Sequence, residues 1–214
     1  MTAAVLFDLD GTFADTAPDL GRAVNTMRAA RGLPPLPLTE TRRVTSLGAR
    51  GLLGVGFNVG PDHADYPAMR EEFLHIYENN LCCDTVLFPG MAELINRLEQ
   101  RNIIWGIVTN KAERFAKPLM QQLGYATRAA CIIGGDTTGH MKPHPAPLLA
   151  AAQAIHIAPQ SCVYVGDDER DIQAGRAAGM RTVAVRFGYL NGSSPENWGA
   201  DVIVSTLAEI EKIL

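Results

Sequence analysis

The stretch Ala3-Ala4-Val5-Leu6-Phe7-Asp8-Leu9-Asp10-Gly11-Thr12 decides the fold of this 214-residue chain. Its apolar run, Ala3–Leu9, is continuous rather than alternating, the pattern of a strand covered on both faces. It ends in two carboxylates. Residues i and i+2 of a strand project to one side, so Asp8 and Asp10 reach the same space at the strand tip. Open α/β sheets bind ligands at that edge. Two close carboxylates repel unless a cation lies between them or one keeps its proton, and hard oxygen ligands suit Mg2+. Reading Asp10-Gly11 as a plain turn leaves two acids at the end of a buried strand unexplained.

Five more apolar runs follow: Ile103–Thr109, Ala130–Gly134, Cys162–Gly166, Thr182–Phe187 and Asp201–Val204. Helical patterns separate most of them. Met91–Arg101 puts Leu94, Ile95 and Leu98 on one face, and Ala112–Leu123 stops at Gly124, a good C-terminal cap. Pro147–Ile155 and Asp171–Ala178 are also helical in pattern. Such alternation predicts an α/β fold with a Rossmann-like, doubly wound parallel sheet.

One stretch interrupts the alternation. Between residues 17 and 83 the patterns are helical: Asp19–Arg31, Thr39–Thr45, Gly51–Phe57 and Tyr66–Leu81, with Pro34, Pro35 and Pro37 turning the chain. The expected organisation is an α/β core of residues 1–16 and 84–214 with a small α-helical cap, residues 17–83, inserted after the first strand.

The other strand tips also carry polar groups. Val108-Thr109-Asn110-Lys111 offers a hydroxyl and backbone N–H groups near a helix start, which can grip a phosphate oxygen or simply cap the helix. His140-Met141-Lys142-Pro143-His144-Pro145 presents a lysine able to neutralise a carboxylate or phosphate, or to lie solvated at the surface. Its prolines keep His140 and His144 from forming a helical metal pair. Val165-Gly166-Asp167-Asp168-Glu169-Arg170-Asp171 packs four acids into five residues. A helix N-terminus explains Glu169 and Asp171, whereas Gly-Asp-Asp at the tip fits cation binding if Asp167 meets Asp8 and Asp10.

Asp-x-Asp-Gly-Thr, Thr-Asn, Lys-Pro and Gly-Asp-Asp-x-x-x-Asp, in this order on successive strand tips, resemble the haloacid dehalogenase superfamily over essentially the whole chain. The inserted helices resemble the caps of its phosphoglycolate phosphatases and β-phosphoglucomutases. The resemblance implies a magnesium-dependent phosphomonoesterase acting on a small phosphorylated metabolite, phosphoglycolate phosphatase-like in activity. Asp8 is then the nucleophile that forms an aspartyl-phosphate. Asp10 protonates the leaving oxygen and later activates water. Thr109 and Asn110 hold the phosphoryl group, and Lys142 neutralises charge. Mg2+ is held by the Asp8 carboxylate, the Asp10 carbonyl and Asp167, while Asp171 orients Lys142 with Asp168 assisting. Dehalogenases of the group lack the second aspartate, and its phosphonatases carry a cap lysine; residues 17–84 contain none.

Ser46-Leu47-Gly48-Ala49-Arg50-Gly51 places an arginine between glycines in the cap. Arg50 either rides a flexible loop over the site, ready to bind a substrate carboxylate in bidentate fashion, or begins a surface helix. Segments such as Gly48-Ala49-Arg50, Trp105–Lys111 and Asn197–Asp201 resemble a subset of these phosphatases that acts on N-acetylmuramic acid 6-phosphate. Trp105 and Trp198 are expected to pack rather than bind a sugar. A phosphomutase and a non-catalytic regulator that binds Mg2+ or a phospho-ligand are the remaining alternatives.

Composition narrows the partners. With 47% apolar and 20% charged residues the chain is ordinary for a globular protein, and its net charge is -4 without a basic run. Nucleic acid and anionic membranes are therefore not expected partners. No signal-like N-terminus or spanning run is evident, so a cytoplasmic monomer or homodimer is the expectation. Cys82, Cys83, Cys131 and Cys162 lack metal or disulfide spacing.

Overall fold

β1 (Ala4–Phe7) runs through the middle of a six-stranded sheet in this computed structural model, which describes residues 2–214. The order is β5-β4-β1-β6-β7-β8, with every pairing parallel. Its partners are β4 (Ile104–Val108), β5 (Ile132–Ile133), β6 (Cys162–Gly166), β7 (Arg181–Val185) and β8 (Val202–Val204). Phe7 pairs with Ile107 on one side and Val165 on the other. The tips of β1, β4 and β6 therefore end level. From β1 the chain winds outward to β4 and β5, then returns to add β6, β7 and β8 on the other side. That reversal opens a crevice beyond the strand ends.

The continuous apolar runs are explained by burial on both faces. Val5, Phe7, Trp105, Ile107, Val163 and Val165 point to one face. They meet α5 (Met91–Gln100), α6 (Glu113–Gln122) and α9 (Leu207–Glu211). Ala4, Leu6, Val108, Cys162 and Tyr164 point to the other face, against α7 (Ala146–Ala154) and α8 (Glu169–Ala177). Trp105 is buried and stacked on Phe13, with ring centres 5.6 Å apart, and Trp198 is buried against Ile172 and Ala184.

A two-stranded antiparallel ribbon, β2 (Ala14–Asp15) with β3 (Val86–Leu87), leads out of the sheet region and back. Its strands are too short to leave a periodic trace in the sequence. Between them lie α1 (Ala17–Ala30), α2 (Leu38–Arg42), α3 (Gly48–Phe57) and α4 (Tyr66–Glu78). Leu20, Val24, Met27, Leu52, Leu53, Phe73 and Tyr77 form their shared core, joined by Phe115 of α6. Buried Asp19 ties the outgoing segment to the returning one: its carboxylate accepts from the Asp84 and Thr85 N–H groups and the Thr85 hydroxyl.

Two boundaries differ usefully from expectation. The expected helix over 39–45 stops at Arg42, and a tight turn at Thr45–Leu47 follows. The next helix begins at Gly48 rather than Gly51, so Arg50 lies in the first turn of α3. Among the described residues no helix is long and apolar enough to cross a membrane.

Candidate active site

At the crevice a cavity of about 950 Å3 opens between the strand tips and the helical insert. Asp8, Asp10, Arg50, Thr109, Asn110, Lys142, Asp167, Asp168 and Asp171 all line it. Residues at the level tips of β1, β4 and β6, in the first turn of α8, in the loop after β5 and on the inserted α3 thus reach one space.

Lys142 is the electrostatic hub. It is buried, and its Nζ lies 2.8 Å from Asp8 Oδ1 and 2.7 Å from Asp171 Oδ1. Its three N–H groups point at Asp171 Oδ1, Tyr164 Oη and the Val108 carbonyl. Asp8 Oδ1 is therefore close to a cation yet accepts no aligned hydrogen bond. Burial alone would lower the lysine's pKa; the Asp171 and Asp8 carboxylates outweigh it and hold the ammonium above its ordinary value. Asn110 positions this lysine through the backbone. Its amide donates to the Lys142 carbonyl and accepts from the Lys142 N–H, both at 2.9 Å. Its side chain is thereby committed, which leaves backbone N–H groups for a phosphate. Thr109 is buried, and its Oγ1 accepts from the Lys111 N–H at 3.1 Å, leaving the hydroxyl proton to donate.

Asp167 sits in a tight cradle. Its Oδ1 accepts from Thr12 Oγ1 at 2.8 Å and its Oδ2 from the Tyr189 N–H at 2.7 Å. A Cβ on Gly11 would fall 2.1 Å from Asp167 Oδ2, and one on Gly188 would fall 2.2 Å from Asp167 Cβ. Carboxylate oxygens of Asp8, Asp167 and Asp171 lie within 4.8 Å of one another. Burial, with repulsion from neighbouring acids, pushes Asp8 up to about 7 despite Lys142, and it raises Asp167 well above the carboxylate range. Two of these three buried acids, Asp8 and Asp171, share the Lys142 ammonium. This clustered hard-oxygen donor set suits a divalent cation such as Mg2+.

Asp10 stands outside that carboxylate cluster. Its Oδ1 accepts from Thr16 Oγ1 at 2.5 Å and from Lys111 Nζ at 2.8 Å. Lys111 is nearly buried and lies 4.8 Å from the centre of the Tyr77 ring on α4. Asp168 caps α8 by accepting from the Arg170 N–H, and Asp171 completes a capping box by accepting from the Asp168 N–H. Arg170 then chelates Asp168 in a fork. Burial works to raise the Asp168 carboxyl, but the Arg170 guanidinium outweighs it and holds the group below its usual value. Arg50 is exposed at the cavity wall.

Sequence reasoning missed Lys111, Thr12, Thr16, Tyr164, Tyr189 and Arg170. Lys111, Thr12 and Arg170 lie within the strand-tip motifs, which is the signal the sequence carries for them. Tyr189 follows a strand that carried no motif.

The chain matches the family described as haloacid dehalogenase-like hydrolase over residues 5–185. An N-acetylmuramic acid 6-phosphate phosphatase of Pseudomonas putida is 46% identical over 212 residues, covering 99% of this chain and 95% of the relative. A phosphoglycolate phosphatase of Xanthomonas campestris pv. campestris is 51% identical over 202 residues, covering 94% and 91%. The crystal structure of a predicted phosphoglycolate phosphatase from Haemophilus somnus superposes with a TM-score of 0.87 at 26% identity, over 99% of this chain and 97% of that one. A family match across most of the chain, joined to relatives this similar along nearly their whole length, shows that the chain belongs to the haloacid dehalogenase-like hydrolases, as a phosphatase.

Proposed function

We propose that the chain hydrolyses a small carboxylate-bearing phosphomonoester through an aspartyl-phosphate on Asp8, with Mg2+ as cofactor. The observation that carries the reading is the approach of Asp8 to Lys142 and Asp167 at the sheet edge, beside a differently held Asp10. An Asp8 carboxylate oxygen attacks phosphorus as the P–O ester bond breaks. The departing oxygen takes a proton from Asp10. Water then attacks the phosphoryl group while Asp10 accepts its proton, and the Asp8–phosphorus bond breaks to release inorganic phosphate. Lys142 offsets negative charge on Asp8 and the phosphoryl oxygens. Thr109, through its hydroxyl, and Asn110, through its backbone N–H, hold those oxygens. Asp8, Asp167 and the Asp10 carbonyl would hold Mg2+, which supplies charge neutralisation of the phosphoryl group.

Arg50 supports a carboxylate on the substrate. It stands at the N-terminal turn of α3, where the helix dipole also favours an anion, and it lines the cavity. The named substrates of the relatives, phosphoglycolate and N-acetylmuramic acid 6-phosphate, both carry one. The first reading is a phosphoglycolate phosphatase-like activity. The cavity favours a second, the larger sugar acid, because about 950 Å3 with Leu20, Tyr66, Phe73 and Leu74 on its walls exceeds what a two-carbon acid fills. Phosphate release from both compounds and from p-nitrophenyl phosphate tests the reading. Activity that requires Mg2+ and vanishes in Asp8→Asn is expected; undiminished turnover in that variant would sink the nucleophile.

A further inference from the structure

An arginine fastens the turn that carries Arg50 to the α/β part of the molecule. Arg170 Nη2 donates to the Ser46 carbonyl at 2.8 Å. The same guanidinium grips Asp168, with Nε to Oδ1 at 2.7 Å and Nη2 to Oδ2 at 2.8 Å. Ser46 adds a second fastening, its hydroxyl donating to the Tyr189 carbonyl at 2.5 Å. Tyr189 and Asp168 are not arbitrary anchors. The Tyr189 N–H binds Asp167, and Asp168 is its chain neighbour.

Arg42 also ties the chain ahead of this turn, by a fork onto Asp15 of β2 and over the Tyr189 ring. Leu47 and Gly48 close the turn, with Gly48 in the left-handed region at φ +59 and open space where a Cβ would stand. A glycine there gives the turn freedom that its fastenings must remove. Two cavities meet across the contact. The main one and a neighbour of about 250 Å3 share Leu47, Arg50, Asp168 and Arg170 in their walls. The position of the Ser46–Arg50 turn therefore sets the shape of both.

We propose that Arg170 is a positioning residue for substrate selection: it latches the Ser46 carbonyl to the Asp167–Asp168 tip and so fixes where Arg50 meets the part of the substrate that is not transferred. This rests on the proposed carboxylate-recognising role of Arg50. Arginine suits the task because one planar fork serves a carboxylate and a carbonyl together, which a lysine ammonium cannot reproduce in that geometry. Asp168 acquires a role apart from metal binding, since it aims the fork.

Hydrogen exchange and kinetics on the full chain test the latch. In Arg170→Ala, amides of residues 44–50 should exchange faster while those of β1 and β6 keep their protection. The KM for N-acetylmuramic acid 6-phosphate or 2-phosphoglycolate should rise about ten-fold, the scale of a misplaced binding group, with a far smaller rise for p-nitrophenyl phosphate. Arg170→Lys should resemble Arg170→Ala. In an Arg50→Ala background the KM effect of Arg170→Ala should disappear, because both act through one contact. Should Arg170→Ala fold poorly, Ser46→Ala removes the second fastening and should shift exchange and KM in the same direction. Unchanged exchange in residues 44–50 overturns the latch. Equal losses on all three phosphoesters, or additive effects of the two arginine substitutions, overturn the selection role. A wild-type chain that releases no phosphate from any probe defeats the phosphatase reading, and exchange alone then decides the latch.

Discussion

Lys111 Nζ lies 2.8 Å from Asp10 Oδ1, beneath the Tyr77 ring at 4.8 Å from its centre. The lysine follows the tip of β4 and the tyrosine belongs to α4 of the helical insert. The carboxylate proposed to shuttle the proton is thus held by a cation that touches both parts of the molecule. Lys111→Met should lower kcat on every phosphomonoester by roughly 10- to 100-fold, since a misplaced reacting group costs on that order. Lys111→Arg should keep more of it. A kcat equal to wild type in Lys111→Met would release Asp10 from this control.

The buried acids set a pH dependence. The Asp8 carboxyl, ordinarily at 3.8, lies at about 7 in the fold, chiefly through burial. An unfolded chain gives up that proton at the lower value and the folded chain only at the higher. The folded state binds the proton more tightly, so metal-free stability falls as pH rises between those two values. Asp167, raised for the same reason, contributes with the same sign. A cation binding the ionised acids removes the penalty. Mg2+ should therefore raise the melting temperature more at about pH 8 than at about pH 5, relative to EDTA. Melting curves with equal Mg2+ gains at both values would contradict the site.

Gly188 tests the Asp167 cradle. A Cβ there would meet Asp167 Cβ at 2.2 Å and the Gly11 carbonyl at 2.5 Å, and neither is the free end of a flexible side chain. Gly188→Ala should cost about 1–3 kcal/mol of stability, as overpacking does. It should also weaken the apparent affinity for Mg2+ read from an activity titration. A variant with unaltered Mg2+ dependence would mean that Asp167 tolerates displacement.

Arg50 tests the substrate class. Arg50→Ala should lower kcat/KM for carboxylate-bearing phosphomonoesters by roughly 10- to 100-fold, the worth of a charge-assisted hydrogen bond. The loss on p-nitrophenyl phosphate should be far smaller. Comparable losses on both would take Arg50 out of recognition.

The architecture, and which polar residues gather at the sheet edge, were legible in the sequence alone. Continuous apolar runs such as Val5–Phe7 and Val163–Val165 specify strands buried on both faces, and the acids and threonine just beyond their tips must then gather at one edge. That logic is local: each run and its tip lie within a dozen residues. Tertiary structure decided what each side chain is attached to. Asn110 belongs to the Lys142 backbone, Asp10 to Lys111 and Thr16, and Asp168 to Arg170, which reaches 124 positions along the chain to Ser46. Arg50 rides the first turn of a helix because the chain turns at Gly48, a boundary that flanking glycines leave ambiguous. Apart from the local Asp168–Arg170 pair, these partnerships depend on level strand ends and on the seating of the helical insert, so no spacing within one segment encodes them.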